Sequence, residues 1–590
     1  MKRYKGHSFH IPVLGLGYSI DTPINVAPYG ISSVISLVDD SLIEKMREFY
    51  CNKFDIPFKT ISKKVDDFRA KRITSYLNVV DEIVKRKVAE LRDSATHAGG
   101  ELEKYLNMLP DFSHLKPKFN LADKGRQAVE ELSKWINEKM HVGSIDVNIM
   151  TKLDQAHFKN GEQLPIENND AHAALRGFAN SKLSSSLVLS AGMSPRLYSY
   201  IENFKDFFPD KNGIIKKKIV LKVSDFRSAF IQGKMLAAKG LWVSEYRIES
   251  GVNCGGHAFP TNGVLFGPIL EEFRQNRMKL YDTCSEAYKS ALTKKGLAEP
   301  AETPELKITA QGGVGTHEEH NFLLDYYNMD SVGWATPFML VPEVISIDEE
   351  TIKLLARGKE KDYYFSGLSP LGVPFNSIRG ASMSVQRLQL AKKGKAGTPC
   401  TKGFLRYNTE YTKEPICTSS RQYQSKKLKE LEGLNLQEAE YKKAYEKIIE
   451  PECLCIGLGV SSTISKGIDV KPTDKVTVCP GPNLAYFSKV SSLKEMVDHI
   501  YGRLNLLDKG PRPHMFVKEL SMYLDIFKER FENFRKNAED TKEERQLIKF
   551  QKNLFDGINY YKTLFSEKKK EFVEELDRLL KKYPVIDTEL

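Results

Sequence analysis

KITAQGGVGTHEEHNFLLDYYNMDSVGWATPF, residues 307 to 338, decides the fold. A short apolar and β-branched run (307 to 311) ends in Gly312-Gly313-Val314-Gly315-Thr316, a helical stretch follows, and a second run (331 to 335) passes into Ala335-Thr336-Pro337-Phe338. Strand, glycine turn, helix and strand in that order make the unit that joins parallel strands by a right-handed crossover. The alternation extends back to residue 144 through SIDVNIM, AHAALRGFANS, SSLVLSAG, PRLYSYIENF, KIVLKVSD, RSAFIQGKMLAAKG, EYRIESG and GPILEEFRQNRM. Two further β-branched runs lie in IDTPINVAPYGISSVISLV, residues 20 to 38. Eight strands are therefore expected, at about 24 to 27, 34 to 38, 145 to 150, 186 to 190, 218 to 223, 245 to 249, 307 to 311 and 331 to 335. Eight parallel strands close a (β/α)8 TIM barrel. An open doubly wound sheet would carry GxGxxG after its first strand, and APYGIS at 27 to 32 does not supply it.

The rest of the chain is organised around that barrel. Residues 1–39 are expected to start it and 141–345 to complete it, with a helical insertion at 40–140 rich in Glu, Lys, Leu and Arg. Residues 346–489 form an irregular, cysteine-bearing region packed on the barrel. Residues 490–590 form a helical C-terminal domain, whose apolar stripes suit a core or a contact between copies of the chain, so a homo-oligomer would form through it. No period of 20 to 50 residues recurs.

Composition narrows the class. The 590 residues are 41% hydrophobic and 28% charged, with 88 Lys+Arg against 77 Asp+Glu, a formal charge of +11. That is the profile of an ordinary globular protein. The charge is spread out, and runs such as Lys426 to Lys429 and Lys568 to Lys570 lie among Glu and Leu, which suits solvated helix faces and excludes a nucleic-acid partner. No window reaches about 18 uninterrupted apolar residues, and MKRYKGHSFHIPVLGLGYSIDTP breaks its apolar run early, so no membrane partner and a cytoplasmic location are expected. The eight cysteines are too few for a disulfide framework. Five fall within 400 to 479, where Cys400, Cys417, Cys453 and Cys455 are the set able to hold an iron–sulfur cluster, with Cys479 as a substitute. Only one close pair, Cys453-x-Cys455, is present, so ordinary reduced thiols and no metal are the expectation.

In a parallel barrel the loops after the strands build the active site. After the sixth run come Asn253-Cys254-Gly255-Gly256-His257, two glycines that let backbone pass close to a planar ligand and a histidine that can hold or move a proton. His257 is the catalytic candidate; its bland alternative is a hydrogen-bonded loop residue. Gly312, Gly313, Gly333, Ala335 and Thr336, after the last two runs, leave backbone N–H groups free to surround a phosphate, or else simply make tight turns.

Pro23-Ile24 through Ala27-Pro28, Val147-Asn148-Ile149, Ser190-Ala191-Gly192, Gly255-Gly256-His257, Gln311 to Gly315 and Gly333 to Phe338 stand in the order found in nitronate monooxygenases, formerly called 2-nitropropane dioxygenases. Ser369-Pro370-Leu371-Gly372-Val373-Pro374, Gly481-Pro482-Asn483 and Val490 to Glu495 also resemble the tail of some bacterial members. The chain resembles this FMN-dependent family of TIM barrels in separated pieces from about 20 to 500, leaving out 40–140 and the last ninety or so residues. NCGGHAF replaces the more usual Ala-Gly-Gly-His form, and Trp334 adds bulk to the phosphate turn.

The resemblance implies FMN as cofactor and a flavin-dependent oxidoreductase acting on a small carbanion-like substrate, with His257 as acid or base. The alternative on the same barrel is an NAD(P)H-dependent enoyl-thioester reductase, with NAD(P)H as reductant and its positive charge helping to dock acidic carriers. A flavin-free scaffold that binds a protein partner through its helical arms is the reading from another class. For the cofactor, the resemblance implies Ala27 and Pro28 against the ring and Asn148 at its edge. It also implies a cation from Lys222, a place for Ser190, Gly192, Gly255, Gly256 and Gln311 in the pocket, and phosphate-binding amides from Gly312, Gly313, Gly333, Trp334, Ala335 and Thr336. Lys222 has a surface strand end as its alternative. Cys254 is read as a buried thiol in preference to a redox thiol.

Overall fold

The structure is a computed structural model that describes residues 6–93, 100–110, 134–159, 162–190, 192–300, 302–536, 540–566 and 570–583. Eight parallel strands form a closed barrel: β1 Phe9–Ile11, β2 Ser32–Ser36, β3 Ile145–Ile149, β4 Ser185–Leu189, β5 Lys217–Val223, β6 Val243–Glu249, β7 Lys307–Gln311 and β8 Ser331–Gly333. Each pairs with its neighbours in sequence, and β1 shuts the ring against β8, with Phe9 opposite Val332. The chain is thus a (β/α)8 TIM barrel with a helical C-terminal region.

One strand lies elsewhere than its expected place. The run at 24 to 27 is not a strand: it belongs to a short helix, Thr22–Val26, that continues into a 3-10 turn at Ala27–Tyr29. Pro23 occupies the first turn, where its fixed φ suits a helix and its missing N–H costs nothing. The first strand is instead Phe9–Ile11, three residues before Pro12 and too short to show alternation. Ala27 and Pro28 consequently lead into the N-terminal end of β2, and the Ala27 carbonyl accepts from Gly143 N–H, just ahead of β3. They sit at the opposite end of the barrel from the loops that build a site.

Helices ring the barrel: α1 Asp40–Lys53, α2 Phe68–Asp93, α3 Asp170–Ala179, α4 Pro195–Ile201, α5 Phe226–Ala237, α6 Phe266–Lys294 and α7 His317–Asp325. Caps start several of them: Asp39 accepts from Leu42 N–H, Asp225 from Ser228 N–H and Thr316 from Glu319 N–H. Where described, 40–140 is largely helical, with irregular chain at 54–67, and α1 and α2 belong to the ring. Arg69 and Arg72 of α2 reach Asp40 at 3.2 and 2.8 Å, and Arg69 also reaches Asp170 of α3 at 2.9 Å. All four side chains are buried, so removing one would leave an uncompensated buried charge. Residues 94–99 and 111–133 of the helical insertion, Ala191, Lys568 and Lys569 lie outside the described residues.

Beyond the barrel, β9 Tyr363–Ser366 and β10 Phe375–Ile378 make a hairpin, and α8 Arg421–Glu432 and α9 Leu454–Ser465 follow. The C-terminal helices α10 Met515–Arg535, α11 Thr541–Phe565 and α12 Lys570–Leu580 pack through aromatic side chains, with Phe516 stacked on Tyr561 at 5.0 Å. No single helix among the described residues is long and apolar enough to cross a membrane.

Candidate active site

Loops after the C-terminal ends of the strands enclose a mostly apolar cavity. Pro12 to Leu16 follow β1, Val38 follows β2, and Met150 and Leu153 follow β3. Lys222 and Glu249 come from the ends of β5 and β6, Asn253 to His257 from the loop after β6, and Gln311 to Val314 and Gly333 to Pro337 from the turns after β7 and β8, Trp334 excepted. The later region closes it with Phe375, Phe404, Leu405, Leu454, Cys455, Leu458, Cys479 and Asn483. Two hydrogen bonds fix that roof: Gly17 N–H donates to the Leu458 carbonyl and Tyr18 O–H to the Thr477 carbonyl.

The polar floor is internally paired. Lys222 Nζ lies 2.9 Å from Glu249 Oε2, and Gln311 Nε2 donates to Glu249 Oε1 at 2.8 Å. Burial alone would raise the Glu249 pKa, but the Lys222 ammonium holds it below the usual carboxylate range. Lys222 is therefore no lone cation. Cys254 sits beside Glu249, and burial, reinforced by that carboxylate, pushes its thiol well above the ordinary cysteine value. The sulfur stays protonated at neutral pH, as a packing thiol does.

The turns after β7 and β8 carry unused donors. Among the described residues the N–H groups of Gly312, Gly313, Val314 and Ala335 have no acceptor, whereas Trp334 N–H donates to the His10 carbonyl in closing the barrel. At Gly313 a side chain is excluded: φ is +75°, and a Cβ would fall 2.0 Å from Asn253 Nδ2. Arg512 locks the turn from below, donating to the Gly313 carbonyl, to Asn483 Oδ1 at 2.5 Å and to Glu319 Oε1 at 2.7 Å. Two cavity acceptors, Gln311 Oε1 and Asn253 Oδ1, are buried without a donor.

His257 is held by the roof. Its Nε2 lies 2.7 Å from Ser369 Oγ, and its ring meets Phe375 edge to face at 5.0 Å. The preceding turn is clamped on both sides, Gly256 N–H donating to the Cys479 carbonyl and Asn376 N–H to the Gly256 carbonyl. Burial, assisted by the Lys152 ammonium, lowers the His257 pKa to about 4. The ring is neutral at physiological pH.

The structure brings His257, Lys222, Gly255, Gly256, Gln311, Gly312, Gly313, Gly333, Ala335 and Thr336 together around one cavity. It does not bring there six others. Ala27 and Pro28 lie at the far end of the barrel for the reason given above. Asn148 is buried within β3 short of the cavity; Ser190 Oγ instead accepts from Thr151 N–H at 2.9 Å and ties two loops, and Gly192 lies beside Lys152. Trp334 points away from the cavity toward α7, donating from Nε1 to His320 Nδ1 at 3.2 Å. Pro12 and Gly15 supply the rigid and small surface after the first strand that had been expected from Ala27 and Pro28. Glu249, Phe404 and Leu454 were missed, and Cys455, named above only with the other cysteines, also lines the cavity; of the missed residues only Glu249, a carboxylate at a strand end, was visible as a pattern.

No family model matches the sequence, and no curated protein matches it. Among solved structures, the chain is similar to FabK from Thermotoga maritima, at 11% identity over 64% of this chain and 79% of that one, with a TM-score of 0.32. It is also similar to the enoyl reductase domain of MlnA from the macrolactin biosynthesis cluster of Bacillus amyloliquefaciens, at 13% identity over 74% and 87%, with a TM-score of 0.33. Superpositions of that quality carry no functional argument; the barrel is established by its own strand order.

Proposed function

We propose that the protein is a flavin-dependent oxidoreductase that binds FMN in the barrel-mouth cavity and oxidises a small carbanion-like substrate of the nitronate type. The observation that carries this reading is the row of unused N–H groups at Gly312, Gly313, Val314 and Ala335, after the two strands where this fold holds phosphate. The rest of the cavity fits the remainder of such a group. The orphaned acceptors Gln311 Oε1 and Asn253 Oδ1 suit an N–H at a ring edge, and Val38, Met150, Leu153, Phe404 and Leu458 give a planar ring apolar surface. The resemblance to nitronate monooxygenases points the same way.

Bound FMN supplies one- and two-electron redox chemistry that no side chain here possesses. The protein does the rest. Neutral His257 can act as acid or base: its Nε2 shares a hydrogen bond with Ser369 Oγ, which leaves Nδ1 to hold or move a proton beside the reacting atoms. The Lys222–Glu249 pair keeps the floor near neutral and fixes Gln311. The roof residues Phe404, Leu405, Leu454 and Leu458 give the cavity an apolar cover.

Heat-denaturing the purified protein and identifying the released chromophore tests the cofactor; colourless protein that takes up no FMN refutes it. Oxygen uptake with alkyl nitronates tests the substrate class. NAD(P)H oxidation coupled to an enoyl thioester, without nitronate turnover, would replace that class while leaving the cofactor in place.

A further inference from the structure

Outside the polar floor, four of the free cysteines lie in the roof region. Cys400 stands just after Thr398, which bridges to Ser420, Cys417 just after the bridge that pairs Asn408 with Ile416, Cys453 at the N-cap of α9 and Cys455 in its first turn. Chain segments far apart in sequence thus converge. Thr398 N–H donates to the Ser419 carbonyl and Arg421 N–H to the Thr398 carbonyl, laying the segment of Cys400 along that of Cys417, and Gln424 Nε2 donates to both the Thr418 and Pro451 carbonyls, drawing in the segment of Cys453 and Cys455. The thiols interact as two pairs, Cys400 with Cys417 and Cys453 with Cys455, and Cys455 also interacts with Cys400 and Cys417. Packing thiols behave differently: Cys51 and Cys284 each stand apart from any other cysteine.

The surroundings suit an anionic group. Gly403 N–H lies toward the Cys400 sulfur, and the second pair opens a helix, where the partial positive charge favours thiolate. Lys402 lies beside Cys453 and Cys455 with its ammonium paired to buried Asp39, and Arg406 lies beside Cys400. No group of three or more ligating side chains among the described residues is arranged for a single metal ion. Cys479 stands apart from the set: its thiol contacts Gly15 and none of the four cysteines.

We propose that Cys400, Cys417, Cys453 and Cys455 are the four thiolate ligands of an iron–sulfur cluster built into the roof of the cavity. Four cysteines are the usual complement for such a cluster. Cys455 and Leu454 line the cavity itself, so the cluster adjoins the space in which the substrate is handled. The site takes iron and sulfide as its ligands and stands independently of the flavin reading. Its redox change is one electron in or out of the cluster, with no bond or proton exchanged.

Iron and acid-labile sulfide, measured on the full chain after anaerobic purification and reconstitution with ferrous iron and sulfide, test the proposal. About four of each per chain are expected, with a one-electron paramagnetic signal on adding dithionite. Less than about half an iron per chain, about one zinc without sulfide, or a Cys400–Cys417 disulfide in the anaerobic protein overturns it. Cys453→Ser and Cys400→Ser should each lower iron at least about tenfold, while Cys51→Ala keeps it. Equal loss in Cys51→Ala would mark the iron as non-specific. Because the wild-type content decides the question, a variant that does not fold leaves the test intact.

Discussion

Lys222 Nζ and Glu249 Oε2 lie 2.9 Å apart, joining the ends of two adjacent strands across the cavity floor. Each charge is tolerated there because the other is present. Lys222→Met should leave Glu249 buried and unpaired, lowering stability by about 1–3 kcal/mol at pH 8, the partial exposure of both groups reducing the full buried-pair penalty. The sign with pH follows. In the wild type the depressed Glu249 pKa gives stability that is present above the carboxylate's unfolded value and lost as pH falls. In Lys222→Met that contribution reverses, so the deficit should shrink toward pH 5, and adding Glu249→Gln should recover most of it. Denaturant titrations at both pH values check this.

Gly313→Val places a side chain where a Cβ already falls 2.0 Å from Asn253 Nδ2, at a φ of +75°. The flavin content of the purified variant, read from its absorbance, should fall at least about tenfold because the turn must open beside its unused N–H groups. Full occupancy would place the phosphate elsewhere.

His257→Gln should keep bound flavin and lower turnover by about 10² to 10⁴, the range for losing a positioned base. With its pKa lowered to about 4 by burial and by Lys152, the wild-type rate should stay level through pH 6.5 and fall only in more acidic solution. A pH–rate profile that bends near 6.5 would assign the proton transfer to another group.

Glu519 of α10 is buried, accepting from Ser250 Oγ at 2.5 Å and from Phe266 N–H at 2.8 Å, and burial raises its pKa to about 7. A carboxyl whose folded pKa lies above its unfolded 4.5 costs nothing when both states are protonated and destabilises as pH climbs through the folded value, here by about 3 kcal/mol above pH 7. Glu519→Gln can keep an acceptor for Phe266 N–H and donate to Ser250. Its unfolding midpoint should exceed the wild type's at pH 8 and match it near pH 5.

The barrel was legible because its signals are local. Gly312-Gly313 after a β-branched run, and Ala335-Thr336 after the next, announce a strand end and a turn within a few residues. β1 was not legible, since Phe9–Ile11 offers three residues to a pattern that needs more, while 24 to 27 offered an apolar run that Pro23 turned into a helix. The roof was legible only in part. His257 announced itself by its glycines, but Phe404, Leu454 and Cys455 reach the cavity through segments without periodicity, and nothing near Glu319 foretells Arg512 as its partner 2.7 Å away. Contacts of that kind are decided by tertiary packing.

The closure of β1 on β8 also bears on how the chain comes to be made. Phe9 cannot meet Val332, nor His10 Gly333, until synthesis has passed β8, and until then the edge of β1 that β8 covers keeps its N–H and C=O groups unsatisfied. Bringing such distant residues together demands a large loss of chain entropy before any ladder bond rewards it, which makes ring closure a slow event in folding. Refolding from denaturant should therefore show a late phase that records the first strand's capture, and aggregation should compete with that phase as protein concentration rises.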